Sequence, residues 1–273
     1  MLFEATTLTA AARVIAETLE KNYATDPVPI FAAADLDTAQ LAVAGARYPW
    51  NNMQTLWRAA VEATGDPSFG LYAGRNIRPT SFHALGYAWL ASETLLGSLE
   101  RLCRYFRVVS TAPLALDLTR ENHGYLLTET LTDPSHVPTD TAIDAFVVAI
   151  IQLCRTASTD RFAPRSVELQ RKNHGNAAVY ADVLGCPVSF GAADTRILFD
   201  RDSLEARLPG ENADVARAND KVAEHYLASL EPHQVASEVR ELLIDLLPSG
   251  GSSQSAIAGR MNRSLSTLQR QLQ

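Results

Sequence analysis

Residues 115–131, ALDLTRENHGYLLTETL, decide the fold class. In ALDLTR (115–120) and GYLLTETL (124–131) apolar and polar residues alternate with a period of two. That is the pattern of strands with one buried face. Glu121-Asn122-His123-Gly124 between them has turn composition, so the stretch reads as a β-hairpin. N-terminal to it the spacing is helical. Leu8, Ala12, Ile15 and Leu19 mark a helix over 8–22. Short helices are expected at about 29–34 and 38–44, after the Pro27-Val28-Pro29 break. Another covers 52–64, with Met53, Leu56, Trp57 and Val61 inward and Gly65-Asp66-Pro67 as its stop. A longer helix over 92–110 puts Leu95, Leu99, Leu102, Tyr105, Phe106 and Val109 on one face.

After the hairpin, a helix over 138–157 is buried through AFVVAIIQL. RSVELQR (165–171) reads as a third strand, 176–184 as a short helix, and PVSF with TRILF as a second hairpin across Gly191–Asp194. Helices near 212–230 and 234–247 lead to Pro248-Ser-Gly-Gly-Ser-Ser, a hinge composition. The expected architecture is α+β: N-terminal helices, a mainly antiparallel sheet of about five strands with packed helices, and a C-terminal partial helix-turn-helix. The expected domains are residues 1–232 and 233–273.

The tail, SQSAIAGRMNRSLSTLQRQLQ (253–273), carries that last element. Ile257, Ala258 and Met261 stripe a first short helix, and Leu265, Leu268 and Leu272 a second. Met261-Asn262-Arg263 suits a tight turn, because Asn tolerates the left-handed conformation, and Ser264 sits where an N-cap is wanted. Ser266, Thr267, Gln269 and Arg270 form the outer face, chemistry suited to base edges and phosphates. An amphipathic helix pair docked on the body would fit the same spacing. Charge shifts the balance between the two readings without excluding either. The chain is acidic, with formal charge −7, yet residues 248–273 hold Arg260, Arg263 and Arg270 and no acid. A local sign reversal in an acidic chain favours contact with nucleic acid.

IAGRMNRSLSTLQRQL (257–272) resembles the first helix-turn-helix of the AraC family of bacterial transcription regulators, whose pattern runs roughly I-A-x-x-L-G-x-S-x-x-x-L-x-R-x-L. Ile257, Ala258, Met261, Ser264, Leu268, Arg270 and Leu272 match it or replace it conservatively, whereas Asn262 stands where Gly is usual and Leu265 where Pro is frequent. The family carries two such motifs joined by a long helix, so the resemblance implies a regulator truncated within its DNA-binding part. The body has too few strands for the β-rich cupin barrel of the sugar-sensing branch. It resembles the non-cupin, arabinose-binding-like sensor branch in GDPSFGLYAGRNIRPTSFHALGYAWLASETLLGSLERLCRYFRVVS (65–110), FAPRSVELQRKN (162–173) and YADVLGCPVSFGAADTRILFD (180–200). The implied function is ligand-responsive transcription regulation, with Ser266, Thr267, Gln269 and Arg270 on the DNA-reading face. DNA and a small-molecule effector are the implied partners, with a homodimer and RNA polymerase as further ones.

With 47% apolar and 20% charged residues the chain can bury a core. No stretch has the roughly 18 or more apolar residues of a membrane span. Glu4 precedes any basic residue, so no signal peptide is read, and a cytoplasmic location is expected. Cys103, Cys154 and Cys186 are odd in number and unpaired by spacing, which reads as reduced thiols. GxSxG, Walker, GxGxxG and HExxH patterns are absent, and the six histidines show no metal-ligand spacing. No enzyme activity, metal or cofactor is therefore expected. Asp133 and His136 read as a loop pair, and Arg101, Arg104 and Arg107 as a solvated basic row or an anion clamp. Tyr87, Trp89, Arg104 and Tyr105 combine aromatic groups with a basic one and are the candidate effector contacts. The competing readings are a sensor or dimerisation module that does not bind DNA, and, more remotely, an enzyme on an α+β scaffold.

Overall fold

A computed structural model describes residues 5–159, 161–173, 175–247 and 253–272. Contacts divide it into two units, Ala5–Lys221 and Val222 onward. The expected boundary at 232/233 falls inside a helix, and the expected hinge at 248–253 lies outside the described residues except for Ser253.

In the first unit a short strand β1 (Thr6–Leu8) leads into helix α1 (Thr9–Tyr23). α2 (Pro27–Ala33) starts at Asp26, whose carboxylate accepts from the Val28 N–H, with Pro27 in the first turn where its missing donor costs nothing. A 3-10 turn over Thr38–Ala42 precedes β2 (Arg47–Pro49) and α3 (Trp50–Thr64). β1 and β2 pair antiparallel, a two-stranded ribbon where the sequence reads only as helix and loop. Three residues are too few for a period-two signal, and side-chain bonds sustain the pair. The Arg47 guanidinium donates to the Thr6 hydroxyl and carbonyl and to the Val108 carbonyl.

α4 (Phe69–Arg75), a 3-10 turn at Pro79–Phe82, α5 (Ala84–Leu90) and α6 (Leu95–Val109) follow. Thr94 caps α6 by accepting from the Gly97 N–H. Apolar spacing drives Ile15, Leu19, Phe31, Met53, Leu56 and Phe69 into one helical core. Each contributes about 1.5–3 kcal/mol by leaving water.

The expected hairpin is present as β3 (Leu114–Glu121) and β4 (Gly124–Leu131). α7 (Asp140–Ala157) comes next, then β5 (Ser166–Leu169), α8 (Ala177–Leu184), β6 (Val188–Phe190), β7 (Thr195–Asp200) and α9 (Arg201–Glu205). The sheet order is β3-β4-β7-β5-β6, five strands as expected, antiparallel except for the β5–β6 pair. The expected second hairpin does not form: β6 and β7 are not neighbours, because β5 lies between them. The connecting loop bonds to the end of β5, with Gly191 N–H donating to the Arg171 carbonyl and Ala192 N–H to that of Leu169. α4 crosses α7 at close range because Gly70 and Gly74 present no Cβ. One built on Gly74 would stand 2.7 Å from the Ala145 carbonyl oxygen.

α10 (Ala213–Leu246) begins in the first unit and ends in the second. It replaces the two helices expected at 212–230 and 234–247. Proline inside a helix removes one hydrogen bond and need not end it, and the helix runs on through Pro232. α11 (Gln254–Arg260) and α12 (Leu265–Gln271) complete the second unit. Among the described residues no helix is long and apolar enough to cross a membrane.

Candidate functional site

Strand register sets out an unusual row on the inner face of the large sheet. Leu116 of β3 opposes Glu129 of β4, which opposes Thr195 of β7. The next row on that face is Leu118, Leu127 and Ile197, with Val167 of β5 beside it. Leu127, Ile197 and Val167 are buried, as is Thr195, and Phe146, Val147 and Ile150 of α7 close a small space with the two rows. Glu129 and Thr195 thus occupy core-facing positions side by side. Among the described residues neither the Glu129 Oε2 nor the Thr195 Oγ1 has a hydrogen-bond partner, although both atoms are shut off from solvent. Burial pushes the Glu129 carboxyl up to about 7.

Two cavities meet at this carboxylate. The first, about 120 Å³, is apolar and lies between helices and sheet, with Trp50, Met53, Phe82, Phe106 and Phe146 in its walls. The second, about 280 Å³, is more polar and includes Asp140, Gln170, Arg171 and Thr195. Leu114, Glu129, Pro138 and Ile143 line both, so the two are adjoining compartments with Glu129 in their common wall.

Arg171 in the polar compartment is engaged through Nη1, while its buried Nε has no hydrogen-bond partner among the described residues. Its guanidinium donates to the buried Asp144 carboxylate and to the Tyr180 hydroxyl, which itself donates to Asp144 at 2.6 Å. Asp140 stands 4.0 Å from the Arg171 Nε. Burial raises the Asp144 carboxyl to about 6, against the opposing pull of Arg171 and the Tyr180 hydrogen bond. A lone buried carboxylate costs several kcal/mol, so this pair and the phenol hold each other in place.

The four effector contacts expected from sequence do not converge. Trp89 is fully buried and its indole donates to the Leu153 carbonyl at 3.2 Å. Tyr87, two residues earlier and so about 200° away around the helix, is half exposed. It borders an open groove of about 620 Å³ with Leu90, Thr156, Pro209 and Asn212. Tyr105 is buried and Arg104 exposed, its guanidinium 5.8 Å from the Tyr105 ring centre. Trp89, Arg104 and Tyr105 line none of the cavities described above. Of the basic row, Arg101 forms a part-buried, two-point ion pair with Asp220 of α10, while Arg104 and Arg107 are exposed. Asp133 and His136 bond within their loop, Oδ2 to Nδ1 at 3.1 Å.

In the second unit, Ser253 and Ser264 cap α11 and α12 by accepting from Ala256 N–H and Thr267 N–H. Asn262 between them adopts φ 52°, the left-handed turn that its side chain tolerates. Ile257, Ala258, Met261 and Leu268 form a small core with Val235 and Leu246 of α10. Two of the inward assignments are corrected: Leu265 and Leu272 are exposed, at 40% and 44%. A seven-residue helix meets that core with one turn only, and Leu272 is already its cap. Ser266, Gln269 and Arg270 are exposed. Thr267 is half-buried, its hydroxyl 2.7 Å from that of Ser264, and Gln269 donates to Gln254 at 3.1 Å.

Residues 25–208 match the family described as the arabinose-binding domain of AraC transcription regulator, N-terminal. The chain belongs to the AraC family of transcription regulators. The matched span holds most of both cavities of the regulator, including Glu129, Arg171 and Thr195. Among solved structures it is similar to the transcriptional regulator CdpR from Pseudomonas aeruginosa, at 16% identity and a TM-score of 0.55. That alignment covers 96% of this chain and 78% of the other, a likeness of fold. Comparison with curated protein sequences gives no match.

Proposed function

We propose that this AraC-family regulator binds DNA through α12 and responds to a small molecule held in the two-compartment cavity. The observation that carries the DNA reading is the second unit: two capped helices around a left-handed Asn262, exposing Ser266, Gln269 and Arg270 in a stretch without acidic residues. Arg270 would reach a base edge or phosphate, with Ser266 and Gln269 beside it and Thr267 bracing the cap. For the effector, a cavity with apolar walls and a few convergent polar groups is the usual form of a small-molecule site. Cavity, unpartnered carboxyl and unpartnered hydroxyl coincide at Glu129 and Thr195, whereas Tyr87, Trp89, Arg104 and Tyr105 share no enclosed space. The second reading, a module that packs without binding DNA, draws on the exposed Leu265 and Leu272, which would suit a protein partner.

Selection from a random DNA pool, using the protein purified from its own organism, tests the DNA reading. It should enrich one sequence, and Arg270→Ala should lose that enrichment while remaining folded. A pool that stays random with the wild-type protein would overturn the reading and favour the packing module.

A further inference from the structure

We propose that the cavity takes a small amphipathic amine, its apolar body in the compartment walled by Trp50, Phe106 and Phe146 and its ammonium group against Glu129. This rests on the effector site proposed above and adds the chemistry of the occupant.

Size comes first. The apolar compartment, about 120 Å³, is slightly smaller than the roughly 150 Å³ cavity that admits benzene. A chain of about six carbons fits it, and the polar compartment provides room for a headgroup. Sign comes next. Glu129 and Asp140 are the acids that line the polar compartment, and Arg171 is the cation among its described lining residues. Arg171 is committed through Nη1 to Asp144 and Tyr180, and its Nε stands 4.0 Å from the Asp140 carboxylate, so an incoming carboxylate that sought this Nε–H would be set against Asp140 as well as Glu129. An ammonium displaces nothing. It supplies a donor to the Glu129 Oε2, which lacks one, and has a further N–H for the Thr195 Oγ1, which also lacks one. Thr195 is only 4% exposed, and it is the cross-strand neighbour of Glu129, so the two acceptors form one receptor rather than two scattered groups. The ammonium would also hold the Glu129 carboxylate ionised where burial alone favours the neutral acid.

The test titrates the full chain with n-hexylamine, n-hexanol and hexanoate at pH 8, reading binding by calorimetry and thermal shift. Hexylamine should bind at least tenfold more tightly than hexanol, and hexanoate should not bind. Glu129→Gln should remove the tenfold preference, with hexanol still binding within a few-fold of its wild-type affinity, and Tyr87→Ala, in the separate groove, should keep both the preference and the affinities. Thr195→Val, which keeps the side-chain shape, should weaken hexylamine several-fold and hexanol less. If hexanol binds as tightly as hexylamine, or hexanoate binds more tightly, the cavity stands as a site and the amine assignment falls. If none of the three binds, site and assignment both fall, while the DNA reading is decided separately by the pool selection.

Discussion

Replacing Glu129 by Gln should stabilise the protein at pH 8 and leave it nearly unchanged at pH 4.5. The Glu129 carboxyl is raised from 4.5 to about 7, with burial as the cause. A carboxyl raised on folding binds its proton more tightly in the native state. Its stabilising contribution is complete below the unfolded value near 4.5 and is lost as pH climbs through about 7. The difference of about 2.5 pH units corresponds to a ceiling of about 3 kcal/mol at 1.36 kcal/mol per unit. Gln cannot ionise, so the variant escapes this loss. In a unit of this size 1 kcal/mol moves the melting temperature by about 2–4 °C, which places the ceiling near 6–12 °C at pH 8. Asp144, raised to about 6, titrates in an overlapping window in the same direction. It does so in both proteins, so the difference between them isolates Glu129. Melting curves by circular dichroism from pH 4.5 to 8.5 supply the measurement. Parallel profiles for wild type and variant would show that this carboxyl is not held out of water, and the argument for an unpartnered acceptor in the cavity would fail with it.

Gly74→Ala should cost about 1–3 kcal/mol, since a methyl group there meets the Ala145 carbonyl and the Val148 side chain on α7; an unchanged urea midpoint would show that the helices have room. Asp144→Ala leaves Arg171 and Tyr180 buried without their shared acceptor and should cost about 3–5 kcal/mol in denaturant titration. A loss below about 1 kcal/mol would mean that water already screens the pair. In the second unit, Arg270→Ala should weaken binding to the selected DNA by about 1–3 kcal/mol and relax preference at one position, with no change in melting. Leu268→Ala should instead destabilise the small core, by about 2–5 kcal/mol for a buried leucine. Equal melting losses for both variants would contradict the assignment of faces on α12.

What the sequence revealed follows from which signals are local. The β3–β4 hairpin is legible because alternation and turn composition sit within seventeen consecutive residues, 115–131. The caps at Ser264 and the left-handed turn at Asn262 are legible for the same reason. The β5–β6 pairing is not, because the loop after β6 is held by carbonyls of Leu169 and Arg171, some twenty residues earlier in the chain. Glu129 is a subtler case. It shares the parity of Tyr125 and Leu127, which is the signal of a core-facing acid, but Leu126 beside Leu127 leaves the buried face of GYLLTETL undecided. Only the packing of Phe146, Val147 and Ile150 of α7 against Leu127, Glu129 and Ile197 shows which side is inward. Tyr87 and Trp89 failed to converge through helical phase: residues two apart on a helix point to opposite sides, however close they stand in the sequence.

Whether a small molecule in the sensor unit changes DNA occupancy is decided by a single coupled titration. The small molecule released from the natively purified protein is identified by mass spectrometry and added back during an anisotropy titration of the selected DNA sequence. Coupling in such systems is typically about 1–3 kcal/mol, so the DNA Kd should move by about 5- to 150-fold, and Glu129→Gln should abolish the shift without altering Kd in the absence of the small molecule. A DNA Kd that stays constant while the small molecule saturates the protein would show that the cavity does not control DNA binding.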